Sequence, residues 1–168
     1  MSTYVDLLLD RYRSKGVLID SNLLLLHLVG TVEPKWIGDG RYNKLSKYTF
    51  KDFAILRRLL ACFSVAVTTP HVLTELSNLC NDLPMDVRER VLARLSEVLM
   101  TSAEMEAESL NTANHVEFRF LGLTDTRLLE LSNDYLVVSD DVRMVTRFAK
   151  SGWGALNFNF LRTYLFPR

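Results

Sequence analysis

Short apolar runs that stop at a polar residue recur along this sequence, and each is separated from the next by longer stretches with helical spacing. Val17-Leu18-Ile19 stops at Asp20, Val65-Ala66-Val67 at Thr68 and Tyr135-Leu136-Val137-Val138 at Ser139. Runs this short and this apolar read as strands buried on both faces, and strands alternating with helices define a parallel sheet covered by helices on either side. Parallel strands are joined by right-handed crossovers, so every strand-to-helix turn falls on one edge of the sheet. Ligands of such folds bind at the carboxyl ends of the strands. Chemistry is therefore expected from residues that directly follow a strand or lie in the next helix.

The remaining punctuation fixes the expected elements. A helix over about 2–14 carries Val5, Leu8, Leu9 and Tyr12 on one face and is broken at Gly16. A helix over 21–29 follows the first strand, and an irregular segment over about 30–49 contains Gly30, Pro34, Gly38 and Gly40. Helical spacing returns over 50–63, a strand over 64–68, and then Thr69-Pro70, an N-cap followed by proline at the first helical position, opens a helix to about Asn81. Pro84 opens another to Leu95, 97–100 reads as a third strand, and Ser102 caps a short acidic helix. Thr124 caps a helix from Asp125 to about Asn133, 135–138 is the fourth strand, and Ser139 begins a helix to Lys150. A strand over 155–158 precedes a helical or irregular tail. The expectation is one α/β domain over residues 1–168, with a central parallel sheet of about five strands.

Composition narrows the functional classes. With 48% hydrophobic and 24% charged residues the chain is globular rather than disordered. The apolar stretch from Leu23 to Gly30 is too short to span a bilayer, which needs roughly 20 residues. Cys62 and Cys80 form no CxxC, and His27, His71 and His115 share no spacing, so neither a zinc site nor a disulfide framework is expected. With no signal-peptide pattern, the cytoplasm is the expected compartment. Lys plus Arg equals Asp plus Glu at 20 each, so any nucleic-acid affinity must come from local charge.

Four carboxylates fall where the fold expects chemistry. Asp20 ends the first strand, Glu75 lies in the helix after the second, Asp125 opens the helix before the fourth, and Asp141 follows the fourth directly. Hard oxygen donors from separate segments suit Mg²⁺ or Mn²⁺, ions that activate water and stabilise a leaving oxygen in phosphodiester hydrolysis. Each acid also has a plain structural role available: Asp20, Ser139 and Asp140 as caps, Asp125 and Asp141 as first-turn acids favoured by the helix dipole.

The run Val17-Leu18-Ile19-Asp20-Ser21-Asn22 resembles the opening motif of the PIN-domain nucleases, and Thr69-Pro70-His71-Val72-Leu73-Thr74-Glu75-Leu76 their second. Leu123-Thr124-Asp125-Thr126-Arg127 is similar to the third acidic helix, and Val137-Val138-Ser139-Asp140-Asp141 to the fourth motif. The motifs span Val17 to about Phe158 in the family's order. The extra N-terminal helix and the long segment over 30–49 depart from the family's usual compactness.

The resemblance implies a three-layer α/β/α sandwich and a divalent-metal-dependent endoribonuclease. Asp20, Glu75, Asp125 and Asp141 would be its catalytic metal ligands, supported by Asn22, Ser139 and Asp140. Among small single-domain relatives it implies a VapC-like toxin, a homodimer held in check by an antitoxin-like inhibitor protein. Between Lys35 and Arg58 basic residues outnumber acids, and Trp36, Tyr42 and Tyr48 are interleaved with them. Cations for phosphates and aromatics for unpaired bases are what single-stranded RNA requires, so Arg41, Lys44 and Lys47 are the expected RNA-binding residues. Competing readings are an inactive PIN scaffold that binds RNA or a protein, a DNA nuclease, and a phospho-acceptor receiver module. The receiver lacks its acidic pair after the first strand and its lysine after the last.

Overall fold

A computed structural model describes residues 4–150, 152 and 154–165, with side chains as far as Arg162. The helix expected from Ser2 begins, within the described residues, as α1 (Tyr4–Tyr12). Gly16, at φ 132°, makes the turn out of it that a side chain would strain. There follow β1 (Val17–Ile19), α2 (Ser21–Val32), α3 (Phe50–Leu60), β2 (Ala66–Thr68), α4 (Pro70–Cys80) and α5 (Met85–Leu99). The second half runs β3 (Ser102–Glu104), α6 (Ser109–Ala113), α7 (Phe118–Leu131), β4 (Leu136–Ser139), α8 (Val142–Lys150), β5 (Ala155–Asn157) and α9 (Phe158–Leu165).

The five strands form one sheet in the order β3-β2-β1-β4-β5, and every pairing is parallel. Passing from β1 to β2 to β3 moves one way along the sheet, while β3 to β4 to β5 moves the other way. Right-handed crossovers then place α2 to α5 on one face and α7 and α8 on the other. The packing agrees: α2 lies against α3, α4 and α5, and α7 against α8 and β4. The result is the α/β/α sandwich. Buried Leu23, Leu25, Leu26 and Leu28 make α2 apolar nearly all round, as a helix wedged between the sheet and other helices must be. No helix among the described residues is long and apolar enough to cross a membrane.

Several expectations are corrected, among them the start of the helix after β4: Ser139 is the last residue of that strand, and α8 begins at Val142 behind Asp141. Residues 97–99 belong to α5, whose inward residues Val87, Val91, Leu95 and Val98 follow the helical repeat, and the third strand is Ser102–Glu104. That strand sits at the edge of the sheet, is not fully buried anywhere along its length, and so carries no apolar run to betray it. Ser102 is accordingly a strand residue rather than a helix cap. Thr124 is also not an N-cap: α7 consists of two helical pieces joined at Gly122 (φ 75°, ψ −177°), and Thr124 already lies inside the second. Asp125 remains in the first turn of that second piece. The segment over 30–49 is irregular from Glu33 onward, with short 3₁₀ turns at Pro34–Trp36 and Asn43–Leu45.

Candidate active site

The strand order reverses direction between β1 and β4, and the carboxyl ends of those two strands are where an open α/β sheet leaves its crevice. Asp20 and the Ser139-Asp140-Asp141 turn occupy that place. The two strands stay in register to their ends, with Ile19 opposite Val138 and the Asp20 N–H donating to the Val138 carbonyl at 3.2 Å.

Asp20 is 7% exposed and caps α2, its Oδ1 accepting the Leu23 N–H at 2.8 Å. Ser139, fully buried, donates its hydroxyl to Asp20 Oδ2 and accepts the Asp141 N–H at 3.0 Å. One hydroxyl therefore ties the first acidic position to the fourth. Burial pushes the Asp20 carboxyl up to about 7, with the neighbouring Asp140 charge adding to the rise, although Ser139 and the Leu23 and Asp140 N–H groups pull it back. Asp141 is exposed and caps α8, accepting the N–H groups of Arg143 and Met144 at 2.7 and 3.1 Å.

Asp125 and Glu75 reach the site from α7 and α4, which touch one another. Val72, Leu76 and Cys80 form the buried stripe of α4, whereas Glu75 is exposed beside it. It borders a groove shared with Thr74, Asn78, Leu123 and Thr124. Asp125 is half-buried, and its carboxyl is raised to about 6, first by burial and then by the negative charges of Glu75 and Asp141. Glu75, Asp125 and Asp141 thus share one field, and Ser139 links Asp141 to Asp20. None of these four carboxylates has a Lys, Arg or His ion-pair partner among the described residues.

Asp140 is different in kind. Its side chain, 7% exposed, accepts the Tyr48 hydroxyl at 2.7 Å and pairs with Lys47 Nζ at 2.6 Å through the same oxygen. Its carbonyl accepts Asn159 Nδ2 at 2.9 Å. Arg162 stands over the Tyr48 ring at 5.3 Å and pairs with buried Asp52 at 2.9 Å. Asp52 in turn closes the capping box of α3 with Thr49. Tyr48, Asn159 and Arg162 carry no motif of their own, and only the fold brings them to the site. Asn22 is half-buried and makes no hydrogen bond to Asp20 among the described residues.

The basic segment does reach the acidic edge, at Lys47 and Tyr48, but not as an open cationic surface. Arg41 is paired with Asp39 at 3.0 Å and Lys47 with Asp140, whereas exposed Lys44, Lys51, Arg57 and Arg58 have no ion pair among the described residues. Tyr42 and Tyr48 are 4% and 1% exposed and pack in the core, so their rings are closed to bases. A different cationic surface, with no counterpart in the motifs, flanks Asp141. Arg143, Arg147 and Lys150 of α8 line a shallow depression with Val142 and Glu117. Phe120 of α7, 57% exposed, lies beside it with the guanidinium groups of Arg119 and Arg147 at 4.9 and 4.5 Å from its ring centre. The spacing of Arg143, Arg147 and Lys150 along one helix face is the signal from which it could have been read.

Comparison of the chain with family models, with curated proteins and with solved structures finds no significant match in any of the three.

The residues present fit a divalent cation by their chemistry: oxygen donors only, mutually repelling, and without basic partners among the described residues. Among the described residues no three His, Cys, Asp or Glu side chains are gathered tightly enough to chelate an ion as they stand.

Proposed function

We propose that this chain is a metal-dependent phosphodiester hydrolase acting on RNA. The observation that carries the reading is Asp125, raised to about 6 by burial and then by the charges of Glu75 and Asp141, and left with no basic partner among the described residues. A structural network would have neutralised such a group with Lys or Arg, as Asp140 is neutralised by Lys47 and Asp52 by Arg162.

Asp20, Glu75, Asp125 and Asp141 would hold Mg²⁺ or Mn²⁺, which supplies a Lewis acid and an activated water. Ser139 holds the Asp20 carboxylate and the Asp141 backbone in fixed relation. Arg143 and Lys150 offset the acidic site for an incoming polyanion, Arg147 being already paired with Glu117, and exposed Phe120 with its flanking guanidinium groups faces an unpaired base. The VapC-like setting, with a homodimer and an inhibitor protein, belongs to the same proposal.

The test is cleavage of single-stranded RNA with Mn²⁺ or Mg²⁺, with chelator, and with Asp141→Asn, beside DNA of the same sequence. Cleavage that needs metal and Asp141 and prefers RNA supports the reading. Cleavage insensitive to chelator, or retained in full by the variant, overturns it.

A further inference from the structure

On the sheet face covered by α2 and α5, packing against β2 leaves a chamber of about 310 Å³. Its wall is mostly apolar, from Leu24 of α2, Val67 of β2, Leu73 of α4, Leu95 and Val98 of α5 and Phe63. None of the four carboxylates of the proposed active site lines it. Three residues of the same wall each contribute a buried polar atom with no hydrogen-bond partner among the described residues: His27 Nδ1, Thr68 Oγ1 and Arg94 Nε. Buried polar atoms are nearly always paired, by protein, water or ligand. An apolar chamber whose wall also carries a few polar residues matches a small-molecule pocket, where a few placed polar groups orient a mostly apolar guest.

The sign of the expected guest comes from a second cavity of about 320 Å³ that shares His27 and Arg94 and adds Arg57, Phe53 and Thr31. Among the described residues, no Asp or Glu lines either cavity. Glu97 meets Arg94 only at Nη1, leaving Nε unused. His27 is neutral in this setting, since burial and the two arginines lower its pKa to about 4, so it is available as a neutral donor or acceptor beside them.

We propose that the paired cavities bind a small amphipathic anion, with its apolar body in the chamber against β2 and its anionic group between Arg94 and Arg57. A volume of about 310 Å³ lies at the lower end of the range for ligand pockets, roughly 300–1,000 Å³, which favours a guest the size of a medium-chain carboxylate.

The probe is octanoate, with 1-octanol as its uncharged counterpart, followed by calorimetry and by methyl chemical shifts of Val67, Leu73 and Leu95. Octanoate should saturate one site and shift those methyls, and octanol should bind more weakly. Arg94→Met, which keeps the apolar stem, should weaken octanoate about ten- to hundredfold, the range expected for a lost hydrogen bond to a charged group. Thr68→Val removes an unpaired oxygen beside the guest's apolar body without removing volume, and should fold normally and bind octanoate at least as tightly. Absence of saturable binding, equal affinity for octanol, unchanged affinity in Arg94→Met, or loss of binding in Thr68→Val would overturn the proposal. So would self-association that closes the chamber and excludes octanoate, which would make this face an interface between two copies.

Discussion

Tyr48 and Asp140 stand 92 residues apart in sequence and are joined by a 2.7 Å hydrogen bond from the tyrosine hydroxyl to Asp140 Oδ2. The bond fastens the irregular segment that begins after α2 to the turn that carries Ser139 and Asp141. Asp140 is too buried to be solvated by water, so Tyr48 and Lys47 take that part, and the buried hydroxyl is held well above the usual phenol range. Tyr48→Phe should cost about 1.5–3 kcal/mol, the usual range for a hydrogen bond to a charged acceptor, measured by urea unfolding. Amide exchange should quicken over 42–48, while RNA cleavage falls modestly because Lys47 still holds Asp140. Unchanged stability would mean that Lys47 alone anchors the segment.

The pH dependence of the metal-free protein follows from two raised carboxyls. Between about pH 4 and 6.5 they are opposed by half-buried His27, whose lowered pKa makes its neutral form add stability as pH rises. Asp20 rises from 3.8 to about 7 and Asp125 from 3.8 to about 6. A folded-state pKa above the unfolded one means that the native state binds protons more tightly. Its contribution to stability is complete below about pH 4 and is lost as pH rises through about 6 and about 7. Thermal unfolding in chelator should therefore show a decline that is clearest above about pH 6.5, where His27 no longer opposes it, and saturating Mn²⁺ should reverse it by binding the native state. A flat profile there in chelator would remove the case for strained acids.

Asparagine variants separate charge from structure. Asp20 and Asp141 also cap α2 and α8, and Asn caps a helix as well as Asp does, so Asp20→Asn and Asp141→Asn should fold. Both should lose cleavage by at least about a hundredfold, the scale of general acid–base or metal-ligand loss. The Asp125 carboxylate has no hydrogen-bond partner among the described residues and only like-charged neighbours. Asp125→Asn should therefore gain about 1–2 kcal/mol in chelator at pH 8 after allowance for solvent screening. Loss of stability there would indicate that a cation of the chain itself compensates Asp125.

Where apolar periodicity is strong, the sequence was enough: β1, β4 and α4 begin and end within a residue or two of their signals, and the Thr69-Pro70 start of α4 is plain. The parallel sheet and the placement of Asp20 and Asp141 at the carboxyl ends of strands follow from those elements, while the adjacency of β1 and β4 is seen only in the fold. β3 was not legible, because an edge strand of Ser102, Ala103 and Glu104 needs no apolar run and α5 overran the place assigned to it. Nor was the fate of the basic segment. Tyr42 and Tyr48 look like stacking aromatics in one dimension, but their burial depends on Leu79 and Asp140, which accept their hydroxyls from far along the chain. Side-chain pairs at such separations leave no local pattern.

The two basic surfaces differ in what already holds their charges. Lys47 and Arg41 are paired, whereas Arg143 and Lys150 are exposed on α8 close behind Asp141. For single-stranded RNA each neutralised phosphate adds about 0.7 to the slope of log affinity against log salt. Arg143→Ala with Lys150→Ala should flatten that slope by about 0.7 for every phosphate the pair neutralises, and Phe120→Ala should weaken binding by about 1–3 kcal/mol if a base stacks there. Arg41→Ala with Lys44→Ala should change the slope less. Binding is best measured in Asp20→Asn, which keeps RNA uncut without touching either surface. If the α8 pair leaves the slope unaltered and the Arg41 and Lys44 pair flattens it, the RNA approaches over the irregular segment and the α7–α8 surface serves something else.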